Sequence, residues 1–265
     1  MTVPEAAAAP VPRSGPDAIS AEHLSKRFGP VVALADVTMH VAHGEVLGLI
    51  GDNGAGKSTL IKIITGFHQP DGGTIQVAGN EVRLRSVSHA RSLGIETVYQ
   101  DLALIPELSV YHNMFLKRER LRTPLPFLHN SWMRRQARAY LDDMGVNIPS
   151  VDTDVGRLSG GQRQAIAIAR AVYSQAKILL LDEPLAAMGA KEGALILDLI
   201  RNLKDRGEVS MILIAHNYAQ VLDVCDRVNL LRHGRIFLDK RTGETSLDEL
   251  TEVMVEEYRR PRRAT

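Results

Sequence analysis

The sequence predicts an α/β fold: a mostly parallel, helix-covered sheet with a helical subdomain inserted into it. Three observations lead there. Apolar runs of strand length alternate with helical patterns through the C-terminal half. One earlier run, Val46 to Ile50, ends in a glycine-rich loop that opens a helix. From Asp101 to Ser159 the pattern changes to helical patches broken by prolines at 106, 124, 126 and 149.

In chain order, Ile19 to Phe28 and Val37 to Val41 carry alternating or β-branched apolar residues, and His43-Gly44 interrupts them before Val46 to Ile50. The domain therefore opens with β structure. A helix follows over Lys57 to Thr65, closed by Gly66. Pro70-Asp71-Gly72-Gly73 turns the chain into a strand, Thr74 to Val77, and Ile95 to Tyr99 forms another. Within the insertion, Ser131 to Met144 reads as a helix with Ser131 as its N-cap. Beyond it come helix Gln162 to Tyr173, strand Ile178 to Leu181, helix Lys191 to Lys204, strand Val209 to Ile214 and helix Tyr218 to Cys225. Strands Arg227 to Leu231 and Arg235 to Leu238 and an amphipathic helix, Leu247 to Tyr258, complete the order. Residues 1–18 read as a disordered Ala/Pro-rich tail, 19–258 as one domain with its helical subdomain at about 101–160, and 259–265 as a basic tail, either solvated or touching lipid headgroups.

Composition bounds the function. Lys plus Arg (32) nearly cancel Asp plus Glu (31), so no global field draws the chain to nucleic acid or anionic lipid. The longest apolar runs fall far below the roughly 20 residues of a spanning helix. The start has no positive charge followed by a long apolar region, so a signal peptide is not expected and the protein is expected in the cytoplasm. The single cysteine, Cys225, excludes an internal disulfide and a multi-cysteine metal site, and reads as a small buried residue.

Three segments carry chemistry. Gly51-Asp52-Asn53-Gly54-Ala55-Gly56-Lys57-Ser58 fits G-x-x-x-x-G-K-[ST] between a buried strand and a helix, where a phosphate-cradling loop belongs. Its glycines let backbone N–H groups turn inward around phosphate oxygens, and the positive helix end at Lys57 to Thr59 favours the anion. Lys57 would reach the β- and γ-phosphates of ATP and Ser58 would hold Mg²⁺. Secondly, Ile178 to Leu181 delivers Asp182 and Glu183 at a C-terminal strand end, the ligand edge of an open α/β sheet. Asp182 can bind Mg²⁺, directly or through water, and Glu183 can polarise the attacking water as general base. Taken alone, the two acids would equally suit a cap for the next helix. Thirdly, Leu158-Ser159-Gly160-Gly161-Gln162 starts a helix, so Ser159 and the two glycine amides form a second anion site or a simple cap. One chain thus holds two phosphate-binding helix starts, an arrangement that two chains sharing two nucleotides would use fully.

On these motifs the sequence resembles the ABC transporter ATPases from about Ile19 to Arg259, with Gly51 to Ser58 similar to the Walker A loop, Ile178 to Asp182 to the Walker B strand and Leu158 to Gln162 to the signature motif. The resemblance implies a P-loop NTPase fold: a RecA-like, mostly parallel sheet core with an antiparallel β subdomain and an inserted α-helical subdomain. It implies further roles: Phe28 as the aromatic that stacks on adenine, Gln100 as the Q-loop glutamine joining the Mg²⁺ and water site to the helical subdomain, and His216 as the switch histidine that contacts the γ-phosphate. Val98 to Leu104 and His112 to Leu116 are similar to ATPases of bacterial monosaccharide importers of the ribose, xylose and fructose type. Those commonly use two fused cassettes; this chain has one, which implies a homodimer.

The implied function is ATP hydrolysis at a dimer interface, coupled to import of a monosaccharide at the cytoplasmic face of the membrane. Its partners would be transmembrane permease subunits and, indirectly, a periplasmic or extracellular substrate-binding protein, without nucleic acid. An exporter or lipoprotein-release ATPase, or a soluble non-transport ABC protein, remain the alternatives. The permease would dock around Gln100 to Leu116, where Leu102, Leu104, Ile105 and Leu108 are either docking residues or core. Two departures stand out: Gly189 replaces the usual D-loop aspartate, and Leu185 is larger than the usual threonine or serine. Active hydrolysis with altered communication across the dimer is expected, with an inactive or asymmetric site as the alternative.

Overall fold

The computed structural model describes residues 17–122, 124, 127–186 and 188–259, with 254–259 described by backbone alone. The tail readings for 1–16 and 260–265 lie outside the described residues. Strand β1 (Asp17–Phe28) begins inside the stretch expected as tail: Asp17 pairs with Ala42, and Ala18 is buried. It turns at Gly29 (φ 57°) into β2 (Val31–Ala42). β3 (Val46–Ile50) then leads through the glycine-rich loop to α1 (Lys57–Ile64), which ends ahead of Gly66. β4 (Gly72–Val77), β5 (Asn80–Glu81), α2 (Val87–Ser92) and β6 (Ile95–Val98) follow.

The insertion contains α3 (Val110–Met114) and α4 (Asn130–Asp143), and α5 (Gly160–Tyr173) returns to the sheet. α4 is capped by the His129 ring, which accepts from the Trp132 N–H, and not by Ser131, which falls inside the first turn. The alternation then resumes as β7 (Ile178–Asp182), α6 (Ala190–Arg206), β8 (Ser210–Ile214), α7 (Tyr218–Val224), β9 (Arg227–Arg232), β10 (Arg235–Arg241) and α8 (Leu247–Arg259).

The strands form one sheet ordered β5-β4-β1-β2-β10-β9-β3-β8-β7-β6. β9, β3, β8, β7 and β6 are parallel; β5, β4, β1 and β2 are antiparallel. β10, antiparallel to β9, joins the halves through the pair Arg235–Asp36. The central strands are apolar on both faces because both faces are covered. Leu179, Leu181, Met211 and Leu213 pack toward α4, α5 and α6, while Ile178, Leu180, Ile212 and Ile214 pack toward α1 and the antiparallel strands.

The insertion's entry loop is held by one buried side chain. Asn113 accepts from the Ile105 N–H at 2.8 Å and donates to the carbonyls of Ile105, Leu108 and Ser109 at 3.0, 3.0 and 3.2 Å. Arg170 of α5 clamps the same loop, donating to the carbonyls of Leu102 and Ala103 at 2.9 Å each. Leu102 and Leu104 pack against the core, whereas Ile105 is exposed and Leu108 half-buried, which divides the four residues left open by the sequence. Leu185 also packs half-buried against the core, which supplies the reason for an apolar residue there.

Candidate active site

Two close approaches force glycine into the loop after β3. A Cβ on Gly51 (φ 148°) would lie 2.2 Å from the Leu231 carbonyl oxygen; one on Gly56 (φ 112°) would lie 2.5 Å from that of Ala33. The Ala55 carbonyl, accepting from the Gly234 N–H at 3.0 Å, pins the loop to the β9–β10 turn. Gly56 is the N-cap of α1 and brings no side chain, so the first amides of α1 stay open to an anion.

Lys57 is buried within this loop. Its ammonium donates to the carbonyls of Gly51 at 2.5 Å and Asp52 at 3.0 Å, curving the loop around a fixed positive charge. Burial lowers its pKa, opposed by the nearby carboxylates of Glu183, Asp52 and Asp182.

A cleft of about 210 Å³ gathers Asp52, Asn53, Gly54, Gly56, Lys57, Ser58 and Thr59 from the loop with Asp182 and Glu183 from the end of β7. The structure thus brings two sequence-distant motifs to one wall. Ala55 and Gly51 do not line the cleft; they shape it from behind. Asp182 is half-buried, and burial, followed by the adjacent Glu183 charge, raises its pKa against the pull of Lys57. Glu183 sits in the left-handed region (φ 51°), held by its N–H on the Ile214 carbonyl at 3.0 Å. Its carboxylate meets the chain just beyond β8, where His216 Nε2 lies 2.6 Å from Glu183 Oε1.

The other expected residues stand apart. Gln100, exposed, follows β6 beside β7 but does not line the cleft. Phe28 ends β1 with 43% exposure, its ring 5.2 Å from that of His68 and 5.5 Å from the Lys26 ammonium. Ser159 caps α5 in a reciprocal box: its hydroxyl accepts from the Gln162 N–H at 3.3 Å, and Gln162 Oε1 accepts from the Ser159 N–H at 3.2 Å. Ser159, Gly160, Gly161 and Gln162 are absent from the cleft wall.

Sequence reasoning missed four lining residues: Val31, Val32 and Ala33 of β2, and Ile214 of β8. Val31 and Val32 open β2 and add exposed apolar surface to the cleft lining, at 61% and 43% exposure. They lie ahead of Val37, where the sequence pattern placed the strand, and the hairpin register, which pairs Phe28 with Val31, extends β2 back to the cleft.

Fold and site together define a nucleotide-binding cassette, and comparison with known proteins agrees. The family model for the ABC transporter matches residues 34–186, and the chain belongs to that family. It is 48% identical to the xylose/arabinose import ATP-binding protein XylG of Sulfolobus acidocaldarius, over 90% of this chain and 94% of the relative. It is 45% identical to the fructose import ATP-binding protein FrcA of Rhizobium meliloti, over 82% and 85% of the two chains. Among solved structures it is similar to the ADP conformation of an ATP-binding cassette of an ABC transporter, with a TM-score of 0.77 and 25% identity over 91% of this chain and 96% of that one.

Proposed function

We propose that this chain is the ATP-hydrolysing subunit of a monosaccharide importer, acting as a homodimer on the cytoplasmic face of the membrane. The observation that carries the proposal is the convergence of Lys57, Ser58, Asp182 and Glu183 at a single cleft, with His216 bonded to the Glu183 carboxylate. Kinship with xylose/arabinose and fructose import proteins supports the sugar class. Among the described residues no helix is long and apolar enough to cross a membrane, so a permease subunit would supply the path.

In this reading the open amides at the start of α1 and the Lys57 ammonium bind the phosphates of ATP, and Phe28 stacks on adenine. Lys57 lies on the loop's own carbonyls and can exchange them for phosphate oxygens with little backbone change. Glu183 accepts a proton from the attacking water, while the His216 N–H holds that carboxylate and, on turning to the nucleotide, donates to the γ-phosphate instead. The Ser58 hydroxyl and Asp182 carboxylate are hard oxygen donors in one cleft, a set that fits Mg²⁺, which when bound neutralises phosphate charge. Gln100 would join it after moving in from the exposed loop. Ser159 to Gly161 would meet the nucleotide held by a second copy, consistent with their distance from their own chain's cleft wall.

The test is to trap Glu183→Gln protein with ATP in gently solubilised native membranes and identify what co-purifies. Recovery of a polytopic subunit encoded beside a sugar-binding protein is expected; a soluble or ribosomal partner would overturn the transport reading and leave the ATPase intact.

A further inference from the structure

We infer that Glu192 is an internal stand-in for phosphate: its carboxylate is seated at the amide-lined start of α5 and opposes entry of a nucleotide phosphate brought by a second chain. The inference rests on the proposed reading that Ser159 to Gly161 face a nucleotide held by another copy.

α6 begins without a side-chain cap, because its N-cap is Gly189. Glu192, in the first turn of α6, reaches back to the Gly189 amide, and the same carboxylate faces the Ser159 hydroxyl and the Gly160 and Gly161 amides. The packing is close. A Cβ on Gly160 would lie 3.6 and 3.8 Å from the two Glu192 carboxylate oxygens, and a Cβ on Gly161 would lie 2.9 Å from Glu192 Cβ. Glycine at 161 is therefore what lets the first turn of α6 reach the start of α5. One carboxylate serves two helix N-termini, and both favour its ionised form. Consistently, the Ser159 hydroxyl and these amides hold its carboxyl below the usual range.

A phosphate needs the same donors that the Glu192 carboxylate faces. With Glu192 in place, closure of two chains around a nucleotide sets two like charges within a few ångströms of each other, unless the carboxylate swings away. In the lone chain the same carboxylate keeps the α5 start capped. Glu192 would thus be a positioning residue that sets how much ATP is required for closure, while lying outside the lining of its own chain's cleft.

The test uses the full chain carrying Glu183→Gln, with sedimentation velocity recording dimer against ATP concentration and a fluorescent ATP analogue recording binding to the monomer. Adding Glu192→Gln, which keeps length and an acceptor for Gly189, should lower the ATP concentration at half-dimerisation by about tenfold, the scale of one like-charge contact at a half-exposed site. Glu192→Ala should shift it in the same direction, and Glu192→Asp, which keeps the charge, should stay near the parent. Monomer binding should be unchanged in all three. A midpoint unmoved by Glu192→Gln and Glu192→Ala, or moved equally by Glu192→Asp, would overturn the inference while the dimeric ATPase stands. If the parent binds ATP but never dimerises, the proposed dimer and this inference fall together.

Discussion

His216 Nε2 and Glu183 Oε1 lie 2.6 Å apart although 33 positions separate them in the chain. With Glu183 ionised, the imidazole N–H donates to the carboxylate and fixes its direction. Glu183→Gln should slow single-turnover ATP hydrolysis by about 10²–10⁴-fold with ATP binding retained. His216→Ala should slow it by about 10²-fold, and the double variant should be no slower than Glu183→Gln alone, because the two act as a unit. Additive losses in single-turnover assays would show that they act separately.

Lys57 is the one cation among the described residues lining the cleft, and two loop carbonyls hold it ready. Lys57→Ala should weaken ATP binding by about 10²-fold, matching roughly 1.5–3 kcal/mol for hydrogen bonds to a charged group. Calorimetric titration gives the value.

Gly51 and Gly54 both have positive φ, but only Gly51 has a neighbour in the way, the Leu231 carbonyl oxygen. Gly54→Ala should cost about 1–2 kcal/mol, the backbone strain alone. Gly51→Ala should cost clearly more and abolish nucleotide binding, because the loop must shift to relieve a 2.2 Å approach. Urea unfolding with and without ATP separates the two effects.

Burial and then the Glu183 charge raise the Asp182 pKa. The folded chain therefore holds this proton more tightly than the unfolded one. The resulting stability is fully present below the ordinary carboxylate pKa and is lost as pH rises through the raised value. Binding of Mg·ATP needs the ionised form, so it should weaken as pH falls through that same value. Glu183→Gln removes the neighbouring negative charge and should move the acid limb of Mg·ATP binding to lower pH, whereas Lys57→Ala should move it higher. Titration across a pH series in matched ionic strength reads both.

Arg170 ties the loop after Gln100 to α5, the helix that begins at Ser159. Arg170→Lys keeps the charge but cannot span both carbonyls, and should cost about 1–3 kcal/mol. Hydrogen exchange should rise first at residues 102–105.

By itself the sequence determined the local chemistry. The loop of Gly51 to Ser58 is legible because its residue types have one physical use at that spacing between a strand and a helix, whereas the Asp182-Glu183 strand end and the Ser159 run each also read as helix caps. The α/β order was legible for the same reason: strand-length apolar runs and helical periods are local patterns. Helix ends were less so, since a cap such as His129 is chosen by which side chain the packed loop turns inward. Only the tertiary structure decided which residues meet. The parallel register of β7 with β8 sets Asp182 beside Ile214, and the chain just beyond carries Glu183 to His216. The hairpin register brings Val31 and Val32 to the cleft, and the packing of α6 on α5 delivers Glu192 to Gly160 and Gly161. Strand order and helix packing are fixed by burying two opposite faces of one sheet, a condition on the whole chain that no window of sequence contains.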